Sequence, residues 1–201
     1  MANEMLVPVN TEYLQMKQED FLNGNAIYID GEVDRESINY WSMQLRKLGN
    51  QELENIQNGR KTSPILMYIS SYGGSLVHGF YLTDLMEYYI NRGVEIYTYA
   101  NGYVCSMGAK ILVCGSKRFG FKHSKVLFHQ YNKTIQGTLT HRDIELMYQD
   151  GVEAMKEIEE IIYEKTNIPK ELFEQFLHEN RDLDLNAQQC LEYGVFDEIL
   201  A

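Results

Sequence analysis

The chain has 201 residues, and its 18 lysines and arginines against 29 aspartates and glutamates leave a formal net charge of −11 at pH 7. That length suits one domain, and a composition of 44% hydrophobic and 12% aromatic residues supplies an ordinary core, which excludes wholesale disorder and a loop-rich fold held only by disulfides. The acidic balance argues against DNA or RNA as a partner, because counterion release needs clustered basic residues and the densest such stretch, Lys117 to Lys125, holds only four in nine positions.

Cys105, Cys114 and Cys190 are an odd set with no C-x-x-C spacing, so they read as small buried thiols and point to neither a disulfide framework nor a zinc site. Met1 to Lys17 carries Glu4 and Glu12 and lacks the basic start and apolar run of a secretory signal. No window approaches the ~18 uninterrupted apolar residues of a membrane span, so no membrane is expected and a reducing cytoplasm is the simplest compartment.

After a polar lead-in, Ala26 to Ile29 reads as a strand closed by Asp30-Gly31. Ser37 to Leu48 sets Ile38, Trp41, Leu45 and Leu48 at helical spacing, and Gly49-Asn50 predicts its end. Gln51 to Ser63 is polar, Ile65 to Ile69 reads as a strand, Ser70 to Ser75 as a turn, and Leu76 to Tyr89 as a helix. A third strand, Glu95 to Ala100, runs into Asn101-Gly102, then a small-residue helix starts near Ser106, and Lys117 to Phe121 and Lys125 to Phe128 are two more strands. Strand, turn and helix in this order imply an α/β fold with a mainly parallel sheet, whose ligand chemistry gathers at the carboxyl ends of the strands. Asp143 to Lys165 is one long acidic helix with Ile144, Tyr148, Gly151, Met155, Ile158 and Ile162 near a period of 3.5. It suits either an amphipathic helix on its own core or a projecting helix that meets a partner subunit. Asn167-Ile168-Pro169 ends it, a short helix follows, and Leu191 to Leu200 closes the chain.

Three segments converge on one sheet edge. Gly73-Gly74, between a strand and a helix, lets backbone approach closely and leaves N–H groups free, but it matches neither the phosphate-loop nor the dinucleotide pattern. Ser106, in Tyr103-Val104-Cys105-Ser106-Met107-Gly108-Ala109, stands at a helix start that favours a developing negative charge, although an N-cap serine would stand there too. Cys105 is a competing nucleophile one residue earlier. His129, at the end of Lys125 to Phe128, suits a general base, with His123 in reserve. A triad needs a carboxylate, and Asp182 and Asp184 are the candidates.

Gly73-Gly74-Ser75, Ser106-Met107-Gly108-Ala109, His129-Gln130 and Glu192-Tyr193-Gly194 followed by Asp197 resemble, in order and spacing, the ClpP family of proteolytic subunits of the Clp protease. Ile29-Asp30-Gly31-Glu32-Val33 extends the likeness to about Phe21 through Ala201. The resemblance implies a lead-in over residues 1–20 and a crotonase-like α/β domain over 21–201, with a mainly parallel sheet, flanking helices and a projecting handle helix in a region of about 131–165. It implies Ser106 as nucleophile, His129 as base, and Asp182, at the family's interval before Tyr193, as the orienting acid, with Asp184 the fallback. Backbone N–H groups of Gly74 and Met107 match the family's oxyanion hole. No metal or other cofactor is implied.

The resemblance further implies two stacked seven-membered rings that enclose the active sites, and an ATP-driven Clp-family unfoldase that delivers unfolded polypeptides after docking on apolar pockets, where Tyr68 and Tyr88 fall. Three departures stand out: Tyr72 replaces the family's usual proline, the segment between His129 and Asp182 is a few residues longer, and Tyr131-Asn132-Lys133-Thr134 replaces a glycine-rich stretch, as in a phage-encoded or accessory paralogue. Two other readings share the fold: a non-catalytic ring subunit, and an acyl-CoA enzyme of the crotonase superfamily, which uses paired N–H groups without a serine–histidine pair.

Overall fold

In the computed structural model, which describes residues 24–132, 137–179 and 181–200, the first apolar run forms strand β1 (Ala26–Val33). The expected lead-in over residues 1–20 lies outside the described residues. Asp34 starts helix α1 (Arg35–Gln57) with a capping box: the Ser37 N–H donates to Asp34 Oδ1 at 2.8 Å and the Asp34 N–H donates to Ser37 Oγ at 2.9 Å. Ile38, Trp41 and Leu45 face the core as their spacing predicts.

The expected end of that helix at Gly49-Asn50 is incorrect. The helix continues for two more turns because helix α2 (Leu76–Ile90) presses the buried ring of Tyr89 onto Gly49, where a Cβ would lie 2.5 Å from a ring carbon. The Tyr89 hydroxyl donates to Asn50 Oδ1 at 2.9 Å. This glycine therefore marks a close helix crossing, and interhelical packing offsets its unfavourable helix propensity of about 1 kcal/mol. Beyond it, buried Glu52 accepts from the Ser63 N–H at 3.1 Å and secures the approach to the next strand.

The remaining elements in chain order are β2 (Ile65–Gly74), then α2, β3 (Ile96–Ala100), β4 (Tyr103–Cys105), α3 (Met107–Val113), β5 (Lys117–Phe121), β6 (Lys125–Phe128), α4 (His141–Lys165), α5 (Lys170–Glu179), β7 (Leu183–Asn186), α6 (Ala187–Glu192) and β8 (Glu198–Leu200). Strands β1-β2-β3-β5-β8 form a sheet whose neighbours are all parallel. A second sheet, β4-β6-β7, was not foreseen: β4 and β6 are parallel and β7 is antiparallel to β6. The segment read as a turn at Ser70 to Ser75 instead extends β2 to Gly74, because Glu32 and Val33 of β1 pair with Gly73 and Gly74. The fold is α/β with a mainly parallel central sheet and flanking helices.

Alternation sorts the large sheet's two faces. Ile27, Ile29, Ile65, Met67, Ile69, Ile96 and Ala100 are buried, with α1 against β1 and α3 against β2. On the opposite face, four aromatic residues paired in register form a half-buried row: Tyr28 on Tyr68 at 5.3 Å between centroids, Tyr68 on Tyr99 at 4.7 Å, and Tyr99 on Phe119 at 4.8 Å.

Helix α4 divides along its length, packed on the core over its second half and exposed over its first. Ile158 and Ile162 are buried in the core, whereas Ile144, Leu146, Tyr148 and Val152 are exposed on the first half. Its C-terminal end is fastened by Arg118, whose guanidinium donates to Asp197 Oδ1 at 2.8 Å and to the Lys165 carbonyl.

Replacing Gly49 by Ala tests the crossing. In an open helix this change stabilises, but here the buried Tyr89 ring must move, so a net loss of about 1–3 kcal/mol is expected. A lowered Tm in thermal unfolding checks it.

Candidate active site

The small sheet brings the site residues together. Cys105 of β4 lies opposite Leu127 of β6, and the Ser106 N–H donates to the Leu127 carbonyl at 2.9 Å. Phe128 lies opposite Leu183 of the antiparallel β7. Continuing that register puts Ser106 just past β4, His129 just past β6 and Asp182 just before β7, on one edge.

Ser106 occupies the N-cap position of α3, but its side chain makes no capping hydrogen bond. Its φ of 55° is the one positive value among the described non-glycine residues. A non-glycine residue held there costs about 1–3 kcal/mol, a conformation that persists only when its surroundings impose it. The surroundings here are the glycine pair. A Cβ on Gly73, whose φ is +93°, would lie 2.5 Å from Ser106 Cβ and 2.9 Å from the Met107 nitrogen. Gly74, with φ +145°, is pressed against Val33, where a Cβ would meet the carbonyl oxygen at 2.4 Å. Met107 is the first residue of α3, so its N–H has no partner within the helix. Gly73 and the Met107 nitrogen thus crowd the serine, and Gly74 lines its cavity.

Ser71 is a site residue that sequence reasoning missed. Its hydroxyl donates to the Gly31 carbonyl and accepts the Gly73 N–H at 3.1 Å, which pins the glycine turn. This matters because Tyr72 is exposed and lacks the fixed φ of a proline. The pattern Ser70-Ser71-Tyr72 held no distinguishing signal, since serine is common in turns.

His129 is half-buried, and its Nδ1 lies 2.6 Å from the Gln130 carbonyl. A carbonyl only accepts, so Nδ1 carries a proton, and in the neutral ring this leaves the Nε2 lone pair for a general base. His129 and Ser106 line one cavity of about 490 Å³, with Gly74, Leu76, Lys110 and Ile158 among its other walls. On its other side His129 lines a cleft with Asp182. His129 thus borders both a cavity shared with Ser106 and a cleft shared with Asp182, and the hydrogen bond its ring makes is to Gln130.

The competing candidates fall elsewhere. Asp184 lies opposite Leu127 and forms an ion pair with Lys125 at 3.6 Å. Cys105 is buried, and burial, aided by Asp184 and Asp182, pushes its thiol above the ordinary range despite a hydrogen bond from Tyr103, so little thiolate forms. Burial, with help from the same carboxylates, pushes the Tyr103 phenol up to about 12. His123 is exposed in the β5–β6 turn. Tyr68 is central in the aromatic row, whereas Tyr88 sits outside it on α2, exposed, with the Arg92 guanidinium 3.6 Å above its ring. Lys110, buried in the cavity wall, was missed because a single lysine in a short helix reads as its solvent-facing residue.

A family model described as Clp protease matches residues 10–201. This chain belongs to the Clp protease family. It is 31% identical over 185 residues to the ATP-dependent Clp protease proteolytic subunit 2 of Corynebacterium diphtheriae, covering 90% of this chain and 85% of that protein. It is also 31% identical over 196 residues to the subunit 2 of Thermobifida fusca, covering 96% of this chain and 89% of that one. To the proteolytic subunit 1 of Corynebacterium jeikeium it is 30% identical over 185 residues, covering 90% of each. The strained serine, Gly73 packed on it and the histidine that shares its cavity are thus seen in a Clp protease chain that holds the glycine end of β2 through Ser71. Among the described residues no cluster of three or more His, Cys, Asp or Glu could hold a metal ion, and no helix is long and apolar enough to cross a membrane.

Gly73→Ala adds a methyl group where Ser106 Cβ and the Met107 nitrogen already stand. The expected outcome is a folded protein whose reaction with a fluorophosphonate probe slows by a factor on the order of 10²–10³, comparable to loss of an oxyanion donor, measured by labelling rate.

Proposed function

We propose that this chain is a serine endopeptidase subunit in which Ser106 is the nucleophile, His129 the general base and Asp182 the acid that orients the imidazole. The observation that carries the reading is the strained, uncapped Ser106 held against Gly73 and the Met107 N–H beside a cavity that it shares with His129. A serine serving only as a helix cap would direct its hydroxyl to a backbone N–H and would not need a positive φ.

The mechanism follows from these positions. His129 Nε2 takes the Ser106 hydroxyl proton as Oγ attacks a peptide carbonyl. The N–H groups of Gly74 and Met107 hold the oxyanion, and the imidazolium returns the proton to the leaving amine. Water, activated by the same imidazole, then releases the acyl-enzyme. Formation of imidazolium strengthens the pull of a carboxylate over that of a neutral carbonyl, so a small turn of the ring transfers Nδ1–H from Gln130 to Asp182 as charge develops. No step uses a cofactor, and ATP enters only through a partner.

The relatives' names describe proteolytic subunits of an ATP-dependent protease, which supports this chain acting as one subunit of an assembly that works with an ATP-using partner; two stacked seven-membered rings and an ATP-driven unfoldase are the form that the family resemblance implies. The exposed first half of α4 suits the contact between rings, and the aromatic row around Tyr68, with Tyr88, suits unfoldase docking. The domain would span residues 21–201 after a lead-in, and act on unfolded polypeptides in the cytoplasm.

Fluorophosphonate labelling followed by peptide mapping tests the reading. Label is expected on Ser106, and Ser106→Ala should abolish both labelling and peptide cleavage; label elsewhere, or cleavage that survives, overturns it. The third member is tested separately. Asp182→Asn should lower kcat by a factor on the order of 10²–10⁴, whereas Asp184→Asn removes only a half-exposed ion pair and should leave kcat within about twofold.

A further inference from the structure

Lys110 is the one charged residue of α3, and it is among the least expected side chains in the molecule. It is only 3% exposed, in a helix whose every residue is buried. Its backbone N–H donates to the Ser106 carbonyl at 3.2 Å, so it stands one turn after the nucleophile. Helical side chains lean toward the preceding turn, which tilts Lys110 toward Ser106. Both line the same cavity.

The surroundings of its ammonium are mainly apolar. Nζ lies 5.9 Å from the centroid of the Phe80 ring, and Leu76 and Ile158 add further apolar wall. Among the described residues it forms no hydrogen bond and no ion pair of 4 Å or less. Burial lowers its pKa to about 7, only partly opposed by Glu157. An ammonium held at a mainly apolar cavity wall, with Glu157 compensating it only in part, is costly, and an apolar side chain would fill the same wall without that cost. A lysine there is accounted for by a ligand group that completes it.

We propose that Lys110 is a specificity-determining residue of this cavity, selecting polypeptide sites at which the residue donating the attacked carbonyl carries a side-chain carboxylate. This rests on Ser106 being the nucleophile. An acyl-side residue bound with its carbonyl at Ser106 extends its side chain into the adjoining cavity, and a carboxylate there would pair with Nζ in a poorly hydrated setting, where charge-assisted hydrogen bonds are strong. Asp150, Glu153 and Glu157 of α4 also line the cavity, but they are exposed, so water and salt weaken their repulsion of an anionic side chain. Lys110, set in the inner wall, meets the bound side chain with far less screening.

The test uses the assembled protein and a matched set of fluorogenic peptides that differ only in the acyl-side residue, Glu, Gln, Leu or Lys. The wild-type protein is expected to show its highest kcat/KM with Glu. Lys110→Met should lower the Glu-to-Leu ratio of kcat/KM by about tenfold or more, and Lys110→Arg should preserve it. A wild-type preference for Leu or Lys, or a ratio unmoved by Lys110→Met, overturns the proposal. So does equal loss of all four peptides in a folded, assembled Lys110→Met protein, which would mark Lys110 as part of the reaction itself. Probe labelling of wild-type Ser106 separates the two levels: without it the peptidase reading fails, and with it a wrong ratio counts against Lys110 alone.

Discussion

The register of the three-stranded sheet is the constraint on which the candidate site depends. Parallel pairing of β4 with β6 ends both strands on the same edge, and antiparallel β7 starts from that edge and runs back. Each strand is only three or four residues long, yet together they gather residues from positions 106, 129 and 182. A shift of one residue in either pairing would send alternate side chains to the other face and disperse the group. Buried Val104, Val126 and Leu185 hold the register by packing one face of this sheet into the core.

The larger sheet contributes a different constraint, imposed by close approach. Strand β2 continues past its apolar run to Gly74, and its glycines meet β1 on one side and the start of α3 on the other. The positive φ of Ser106 is maintained because Gly73 has no side chain to push it away and Ser71 keeps the glycine turn in place. Strain at the serine and absence of a side chain at the glycine are two aspects of one packing arrangement. Lys110 follows from the same arrangement: the helix that presents Ser106 brings a buried cation to the cavity one turn later.

Helix α4 and the aromatic row carry the main apolar surface described outside the core. The buried half of α4 is fixed by Ile158, Ile162 and the Arg118 link at its end, while the other half keeps four large apolar side chains in solvent. Tyr131, whose N–H lies 3.1 Å from Met155 Sδ, joins the segment after His129 to this helix.

Much of this was legible in the sequence. Alternation and apolar runs located β1, β2, β3, β5 and β6, helical spacing located α1, α2 and α4, and the spacing of Gly73-Gly74, Ser106 and His129 carried the likeness to the Clp protease family. These features are local, and local periodicity reports which face of an element is buried. Gly49 was misread because a glycine that ends a helix and one that admits a neighbouring ring look alike until Tyr89 is in place. Strands β4 and β7 are too short for periodicity to register. Ser71 and Lys110 carried no pattern at all, because their significance lies in the groups that surround them. Asp182 and Asp184 look alike in the sequence, and only the fold separates their surroundings, with Asp182 lining a cleft with His129 and Asp184 paired with Lys125. The sequence by itself determined the order of elements, the α/β class and the chemical groups available. Only the tertiary structure decided which of those groups meet, because strand pairing and close packing join residues that lie far apart along the chain.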